Sequence, residues 1–203
     1  GDVITAEEAG RRVLVLQNPA LSGFDGTTRS LYACLQLILP GEQAPQHRHT
    51  QSAMRLVLEG EGAFTTVDGG RVEMLAGDFI ITPSWSWHGH IHEGDTPMVW
   101  LDGLDNGLMA HLDTTFFEPG PPVQLQEDSG GRTHDTRLLR YPYHKARENL
   151  DILRKATEPD ASHGYRMEYM NPSDGGPAMS TMTTALMLLD EGFNGQSYQC
   201  TDG

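Results

Sequence analysis

The sequence predicts an all-β fold, a sandwich or barrel built from short strands. Apolar and β-branched runs recur about every ten residues, Gly and Pro stand at the joints between them, and no helical periodicity is sustained before residue 105. The chain has 203 residues, of which 37% are hydrophobic. That apolar fraction can fill a core, which excludes a wholly disordered chain.

The predicted strands are bounded by residues that favour turns. Pro40 and Gly41 end the second run, the Asp-Gly-Gly sequence at 68–70 is typical of a hairpin turn, and Pro83 follows a short apolar run. The runs that we interpret as strands are 12–16, 29–39, 54–58, 63–67, 71–75, 79–82 and 98–101.

The composition changes after Phe117, which predicts a division of the chain. Residues 118–122 are rich in Pro and Gly, and we expect no regular structure there. We therefore predict an N-terminal domain at 1–122 and a linker at 123–160. The linker contains one amphipathic helix at 145–156, and residues 161–203 begin a second β unit that is too short for its own core.

The charge excludes several classes of partner. Asp and Glu number 28 against 14 Lys and Arg, a formal charge of −14, which argues against nucleic acid and anionic membranes as main partners. No apolar run approaches the ~18 residues of a membrane span. Two cysteines, Cys34 and Cys200, are too few for a disulfide framework, and there is no signal peptide. We expect a cytoplasmic protein.

The spacing of five histidines predicts a metal site. His47 and His49 are two residues apart, as are His88, His90 and His92, so each set lies on one face of a strand. Three imidazoles from two paired strands can bind one divalent metal and leave positions open for a substrate. An isolated H-x-H can equally be a polar pair on the surface.

The glycines around these histidines resemble the two motifs of the cupin family. The first motif combines two glycines with H-x-H, and the second combines Gly, Pro and His; the matching residues are Gly41, His47, His49 and Gly60, then Gly77, Pro83 and His88. The resemblance implies a double-stranded β-helix, or jelly-roll barrel. Cupins usually carry a carboxylate ligand where this chain has Ala53. The resemblance to cupins, with Ala53 in place of the carboxylate, therefore implies a three-His site with His47, His49 and His88 as ligands.

Longer segments are similar to the gentisate 1,2-dioxygenase family, which includes salicylate and 1-hydroxy-2-naphthoate dioxygenases. The similar segments are 31–41, 47–53, 77–88 and 100–105. The resemblance runs from Arg11 to the end of the chain. It implies a bicupin, here with its second cupin truncated. Where the second cupin would carry H-x-H the chain has Tyr198-Gln199-Cys200, so we expect that unit to be metal-free.

The family resemblance also implies the reaction and the assembly. These enzymes open aromatic rings with Fe(II) and O2, and gentisate gives maleylpyruvate. A 2-hydroxybenzoate can chelate the metal through its carboxylate and phenolate, while three neutral imidazoles leave the metal its full positive charge for a dianionic substrate. The implied partners are a small aromatic hydroxy acid and O2. The implied assembly is a homotetramer.

Candidate substrate-binding and catalytic residues follow by matching. Arg55 is six residues after His49, and its guanidinium fork suits a carboxylate. Arg11 is a second candidate for this role, although Arg12 beside it makes a plain surface charge an alternative. His90 shares a face with His88 and is a candidate proton carrier or hydrogen-bond donor. The alternative for His90 is an ordinary core histidine.

Five further residues are expected near the substrate. Tyr32, Cys34 and Gln36 alternate along one strand and share a face, where buried polar groups need partners. A second ring hydroxyl could supply one, which favours gentisate over salicylate; the alternative is barrel packing with ordered water. The family match implies that Trp100 and Asp102 line the pocket or lie directly behind the residues that do. Asp102 is a catalytic candidate that accepts a hydrogen bond from a ligand imidazole and so fixes its tautomer.

The predicted function is an Fe(II)-dependent ring-cleaving dioxygenase acting on gentisate. The alternatives are a salicylate or 1-hydroxy-2-naphthoate dioxygenase of the same family, a metal-dependent cupin isomerase, and a non-catalytic cupin that binds a small molecule. The charge of −14 does not exclude an anionic substrate. Net charge describes the surface, whereas binding would be set by iron, Arg55 and Arg11.

Overall fold

This computed structural model describes residues 12–21, 23, 26–121 and 136–200, and its two larger β-sheets contain six and five strands. The six strands of the first sheet, in spatial order, are β1 (Arg12–Val15), β2 (Tyr32–Ile38), β9 (Met98–Leu104), β4 (Ala53–Glu59), β7 (Phe79–Thr82) and β11 (Arg140–Tyr141). The five strands of the second are β10 (Phe117–Pro119), β3 (Gln43–His49), β8 (His88–His92), β5 (Ala63–Val67) and β6 (Gly70–Met74).

Most neighbouring strands in each sheet come from distant parts of the chain. The order β2-β9-β4 and the order β3-β8-β5 both alternate early and late strands, as in a jelly roll. The all-β prediction is confirmed for residues 12–121. Every strand run predicted in that part of the chain overlaps an observed strand, and the hairpin turn at 68–70 joins β5 to β6.

Burial alternates along the strands with the period of two that a half-buried sheet requires. On β2 the side chains of Cys34, Gln36 and Ile38 are buried, and on β4 those of Arg55 and Val57 are buried, while the residues between them are more exposed. The predicted shared face of Tyr32, Cys34 and Gln36 is therefore the inner face. Several of the buried groups are polar, which is the first sign of a site inside the barrel.

Registers between strands bring the polar residues into rows. In the first sheet Asp102 on β9 is the Cα partner of Arg55 on one side and of Cys34 on the other. In the second sheet His88 on β8 is the partner of His47 on β3. Since hydrogen-bonded neighbours in a sheet present side chains to the same face, these pairings place chemistry-bearing residues together.

A short strand forms where the sequence predicted no regular structure. The prediction for 118–122 was wrong at its start, because Phe117–Pro119 pairs with His47–His49 as β10 at the edge of the second sheet. An edge strand bonds a neighbour on one side only, so the missing N–H of Pro119 is tolerated there. This strand lies directly beside two of the predicted metal ligands.

The chain divides into two compact units between Arg140 and Tyr141, which differs from the predicted boundaries at 122 and 160. Residues 136–140 belong to the first unit because Leu139 accepts a backbone hydrogen bond from Ile81 at 2.9 Å and Arg140 pairs with Asp78 at 2.6 Å. The helix predicted as part of a linker belongs to the second unit.

The second unit contains one long helix and a two-stranded sheet among its described residues. The helix spans Tyr143–Ala156, close to the predicted 145–156, and it packs against the strand Tyr165–Glu168 through a face that includes buried Ala146 and Leu150. That strand, β12, pairs with β13 (Ala185–Leu188), which lies inside the predicted β segment. A shorter helix, Asn106–His111, belongs to the first unit; it is α1 and the long helix is α2.

We predict that replacing the two glycines of the first motif, Gly41 and Gly60, by alanine destabilises the protein to different extents. Both have positive φ, +76° at Gly41 and +93° at Gly60, but a Cβ at Gly60 would lie 2.5 Å from the Pro97 carbonyl oxygen, whereas one at Gly41 meets nothing within 4 Å. Gly41→Ala should lower the free energy of unfolding by about 1 kcal/mol, and Gly60→Ala by about 1–3 kcal/mol more. Thermal unfolding followed by circular dichroism measures both; equal losses would contradict the steric argument.

Candidate metal centre

Three histidines converge on one point inside the barrel. His47 and His49 come from β3 and His88 from β8, and their ring centroids are 4.2 Å apart for His47–His88, 4.8 Å for His49–His88 and 5.4 Å for His47–His49. One nitrogen of each ring lies within 4.8 Å of the other two. His88 is 1% exposed and His47 5%, while His49 is half-buried on the more open side. The structure thus brings together the three predicted ligands.

The backbone fixes the tautomer of all three rings in the same way. Each Nδ1–H donates to a backbone carbonyl two residues away, at 3.0 Å for His47 and 2.9 Å for His49 and His88; the acceptors are the carbonyls of Pro45, Gln51 and Ser86. A carbonyl oxygen only accepts, so Nδ1 carries the proton and Nε2 presents its lone pair. This arrangement orients an imidazole for a metal.

His88 shows most directly that the site suits a metal ion. Its Nε2 atom is buried and has no hydrogen-bond partner in the described part of the chain. Buried polar atoms are normally satisfied, so this nitrogen calls for a ligand that protein atoms do not provide. A cation bound at Nε2 would supply it.

The surroundings also keep His88 neutral. Burial lowers the pKa of His88 well below its ordinary value, and the positive charge of Arg55 and the neighbouring rings of His47 and His49 lower it further, against a smaller opposing effect of the Ser86 carbonyl. A metal ligand must be deprotonated, so a depressed pKa preserves the lone pair.

The ligand set is neutral. Ala53, which occupies the usual carboxylate position of the family, is buried at the start of β4. The three histidines form the one cluster of potential ligands found in the described residues, and it contains no carboxylate. Imidazole suits iron, zinc, copper and nickel, and three protein ligands leave positions open for a substrate.

Beside the ligands lies a buried ion pair. Arg55, 2% exposed, places its Nε atom 3.2 Å from the Asp102 carboxylate and donates from Nη1 to the Thr82 hydroxyl at 2.5 Å. The Trp100 indole N–H donates to the other Asp102 oxygen at 2.9 Å. Burial lowers the pKa of Arg55 and the Asp102 charge opposes that shift. The guanidinium keeps its charge because arginine does not deprotonate in proteins.

The position of Asp102 corrects one prediction. We expected its carboxylate to fix the tautomer of a ligand histidine, but the Nδ1 hydrogens of all three ligands go to backbone carbonyls. Asp102 instead bonds Trp100 and pairs with Arg55. The neighbours in the sheet explain this, because Arg55 and Asp102 are Cα partners on adjacent strands.

A cavity of about 600 Å³ adjoins the metal centre. Its wall includes two ligands and four of the predicted site residues: His47, His49, Tyr32, Cys34, Gln36 and Asp102. The volume is typical of small-molecule sites. The polar face predicted on β2 is therefore a wall of this cavity.

The remaining predicted site residues lie elsewhere. Arg55, Trp100 and His90 are not among the residues of the cavity wall; His90 is fully buried with its ring 4.8 Å from that of Trp100. His90 lies two residues after His88 on β8, on the same face of the strand. Its Cα partners on the neighbouring strands are Ala44 and Thr65. Arg11 lies outside the described residues.

Several residues of the cavity wall carry no clear signal in the sequence. Gln51, Asn106, Thr115, Phe117 and Pro119 all contribute to it. Phe117 is 64% exposed and its ring stacks on the His47 ring at 5.5 Å. The exposed aromatic pair at 116–117, just before the Pro-rich stretch, is the feature that could have pointed to it.

The Tyr32 hydroxyl is a hydrogen-bond donor at neutral pH. Burial raises the pKa of Tyr32 to about 12, with smaller contributions in the same direction from Cys34 and Asp102. The phenol therefore stays protonated over the physiological range. It faces the cavity and can donate to a polar atom bound there.

Comparisons with known proteins find similar sequences over most or all of this chain. A family model described as "Cupin domain" matches residues 34–103. The chain is 46% identical to a protein named gentisate 1,2 dioxygenase 1 from Aquipseudomonas alcaligenes, across 100% of this chain and 63% of the relative. It is 40% identical to a 1-hydroxy-2-naphthoate 1,2-dioxygenase from Nocardioides sp. (strain KP7), across 95% of this chain and 54% of the relative. Along its whole length the chain is therefore similar to members of the gentisate 1,2-dioxygenase family of cupins.

A solved structure agrees with the fold of this family. Salicylate 1,2-dioxygenase from Pseudoaminobacter salicylatoxidans, studied as adducts with gentisate, superposes with a TM-score of 0.73 at 31% identity, over 87% of this chain and 55% of that enzyme. The predicted cupin fold is confirmed. The chain spans about half to under two thirds of the length of these relatives.

Within the described ranges, no helix is long and apolar enough to cross a bilayer.

We predict that metal binding depends on His88. His88→Ala removes one of three ligands and should lower the affinity for Fe(II) by more than the roughly 10–100-fold expected for loss of an outer partner. Anaerobic calorimetric titration with Fe(II) measures the affinity. His144→Ala is the control, since His144 is exposed on α2; retained binding in His88→Ala, or equal loss in the control, would contradict the assignment.

Proposed function

We propose that the chain forms the iron-binding part of a ring-cleaving dioxygenase that converts gentisate and O2 to maleylpyruvate. The observation that carries the proposal is the three-His cluster, with its Nε2 lone pairs preset by backbone hydrogen bonds, beside a cavity whose wall includes the polar residues Tyr32 and Gln36 of β2. The names of the relatives support the same reaction, since three of them are gentisate 1,2-dioxygenases with at least 36% identity.

The residues present fit Fe(II). His47, His49 and His88 would hold it, and imidazole is a suitable donor for this ion. When bound, Fe(II) supplies a Lewis-acidic centre that accepts a chelating carboxylate and phenolate and reacts with O2. The absence of a carboxylate ligand leaves the site attractive to a dianion.

The cavity wall would orient the substrate ring. Tyr32 and Gln36 present a phenol and a carboxamide on the inner face of β2, and both can bond a ring hydroxyl. Phe117 at the exposed edge provides an apolar surface for the aromatic ring. The polar side chains of Tyr32 and Gln36 are the reason to favour gentisate, which has a second hydroxyl, over salicylate.

Arg55 would act through its charge, from a position outside the cavity wall. It is not part of the cavity wall, and its charge is shared with Asp102, but it is close enough to His88 to lower the pKa of that imidazole. We propose that it contributes a fixed positive charge that favours an anionic substrate. His90 and Trp100 pack behind the same site, and we propose that His90 orders this buried network; roles for Arg11 in carboxylate binding and for His90 in proton transfer stay predictions.

A second candidate differs only in the ring that is opened. The relatives include proteins named 1-hydroxy-2-naphthoate 1,2-dioxygenase and 5-aminosalicylate 1,2-dioxygenase, at 40% and 32% identity. The same ligand cluster and cavity would serve such substrates, because all of them carry a carboxylate next to a hydroxyl. The homotetramer and the cytoplasmic location stay predictions from the family resemblance.

We predict that the iron-loaded protein consumes O2 when gentisate is added. Uptake of one O2 per gentisate, with a new ultraviolet absorbance from the opened ring, is the expected result in an oxygen electrode and a spectrophotometer. The panel also contains salicylate and 1-hydroxy-2-naphthoate, and an anaerobic arm. No turnover of any member would overturn the proposal, and turnover without O2 would indicate an isomerase.

We predict that Tyr32 contributes to the choice of ring. Tyr32→Phe removes one hydroxyl from the cavity wall and should raise KM for gentisate by about tenfold, the upper range for one hydrogen bond, while KM for salicylate changes little. Steady-state O2 uptake with both substrates gives the ratio. Tyr143→Phe, at an exposed position of α2, is the control; an unchanged ratio in Tyr32→Phe would assign the selectivity to other residues.

A further inference from the structure

One arginine connects the two segments of the chain that supply the ligands. Arg48 lies between His47 and His49 on β3, so by alternation its side chain is on the opposite face from the imidazoles. Its Cζ atom is 4.5 Å from the ring centroid of Trp85 and 4.5 Å from that of Trp87. The two tryptophans come immediately before His88. The guanidinium therefore bridges the strand of two ligands and the approach to the third.

The same guanidinium is held from the other side by β10. Arg48 donates to the Glu118 carboxylate from Nε at 2.8 Å and from Nη2 at 2.5 Å. Glu118 belongs to the edge strand that pairs with β3, in a register that sets Phe117 opposite His49 and Pro119 opposite His47. We call Arg48, Trp85, Trp87 and Glu118 the Arg48 clamp.

The two tryptophans are themselves fixed. Trp85 has φ +63°, an unusual backbone conformation for a bulky residue, and its N–H donates to the His49 carbonyl at 2.8 Å. Trp87 exchanges hydrogen bonds with Asp68, whose carboxylate accepts from the Trp87 N–H at 2.9 Å. A Cβ at Gly120 would lie 2.6 Å from the Trp87 ring, so the chain after β10 lies directly against it.

We propose that Arg48 is a positioning residue for the metal centre. Held in the clamp, its guanidinium fixes β3 against the segment that leads into His88 and so aligns the three Nε2 atoms. The cation–π contacts and the ion pair act on the outer face of the barrel, away from any bound substrate. The proposal rests on the metal-binding part of the proposed function and adds the residue that sets its geometry.

The chain offers a matched control. Arg71 on β6 also lies over an aromatic ring, 3.7 Å from the centroid of Phe64, and pairs with Glu73 at 2.5 Å and Glu93 at 3.1 Å. It makes the same kinds of contact as Arg48. In the sheet, however, β6 is separated from β8 by β5 and carries none of the ligands.

The test compares Fe(II) affinity in Arg48→Ala, Arg48→Lys and Arg71→Ala with that of the unaltered chain. Anaerobic calorimetry measures affinity, and the visible spectrum of the Co(II)-loaded protein reports ligand geometry. Arg48→Ala should bind Fe(II) about tenfold more weakly and shift the Co(II) bands, as expected when a group that orients ligands is lost. Arg48→Lys keeps the cation and should recover part of the affinity. Arg71→Ala should bind as the unaltered chain does.

Unchanged Fe(II) affinity and an unchanged Co(II) spectrum in Arg48→Ala would overturn the proposal, and so would an equal loss in Arg71→Ala. Should Arg48→Ala not fold, Glu118→Gln takes its place, since it keeps the size of the side chain and removes the charge that holds the guanidinium. A smaller loss of affinity is expected there, and none would overturn the proposal. Failure of the unaltered chain to bind Fe(II) would instead contradict the proposed function.

Discussion

A hydrogen bond from each ligand histidine to a carbonyl two residues away is the interaction on which the site depends. The three bonds, to the carbonyls of Pro45, Gln51 and Ser86, keep the proton on Nδ1 and leave the Nε2 lone pair to bind a metal. The acceptors lie within β3, just after it and just before β8, so the backbone around each ligand sets its tautomer. Without them the rings could turn, and the pairing of His47 with His88 would no longer present convergent lone pairs.

Charge is distributed differently inside the barrel and over the whole chain. The chain carries a formal charge of −14, yet the interior near the ligands holds three imidazoles and an Arg55–Asp102 pair. Burying that pair is costly unless both partners are satisfied, and Thr82 and Trp100 supply the additional bonds. The local arrangement, rather than the net charge, therefore determines which ligands the cavity can accept.

The period of two along strands made much of the site predictable. It placed His47 with His49, and Tyr32 with Cys34 and Gln36, on shared inner faces, because alternation is a local property of the chain. The metal ligands needed one more step, the pairing of two strands about 40 residues apart, which the motif spacing supplied.

What the sequence did not show depends on contacts between distant segments. Arg55 read alone is a free guanidinium, and only the β4–β9 register places Asp102 beside it. The strand at Phe117–Pro119 exists because β3 offers it an edge, although its own composition opposes a strand.

X-ray absorption spectroscopy of the Fe(II)-loaded protein tests the central claim most directly. We predict one iron per chain with the outer-shell scattering of three imidazoles; scattering from fewer imidazoles, or from a protein sulfur ligand, would contradict it.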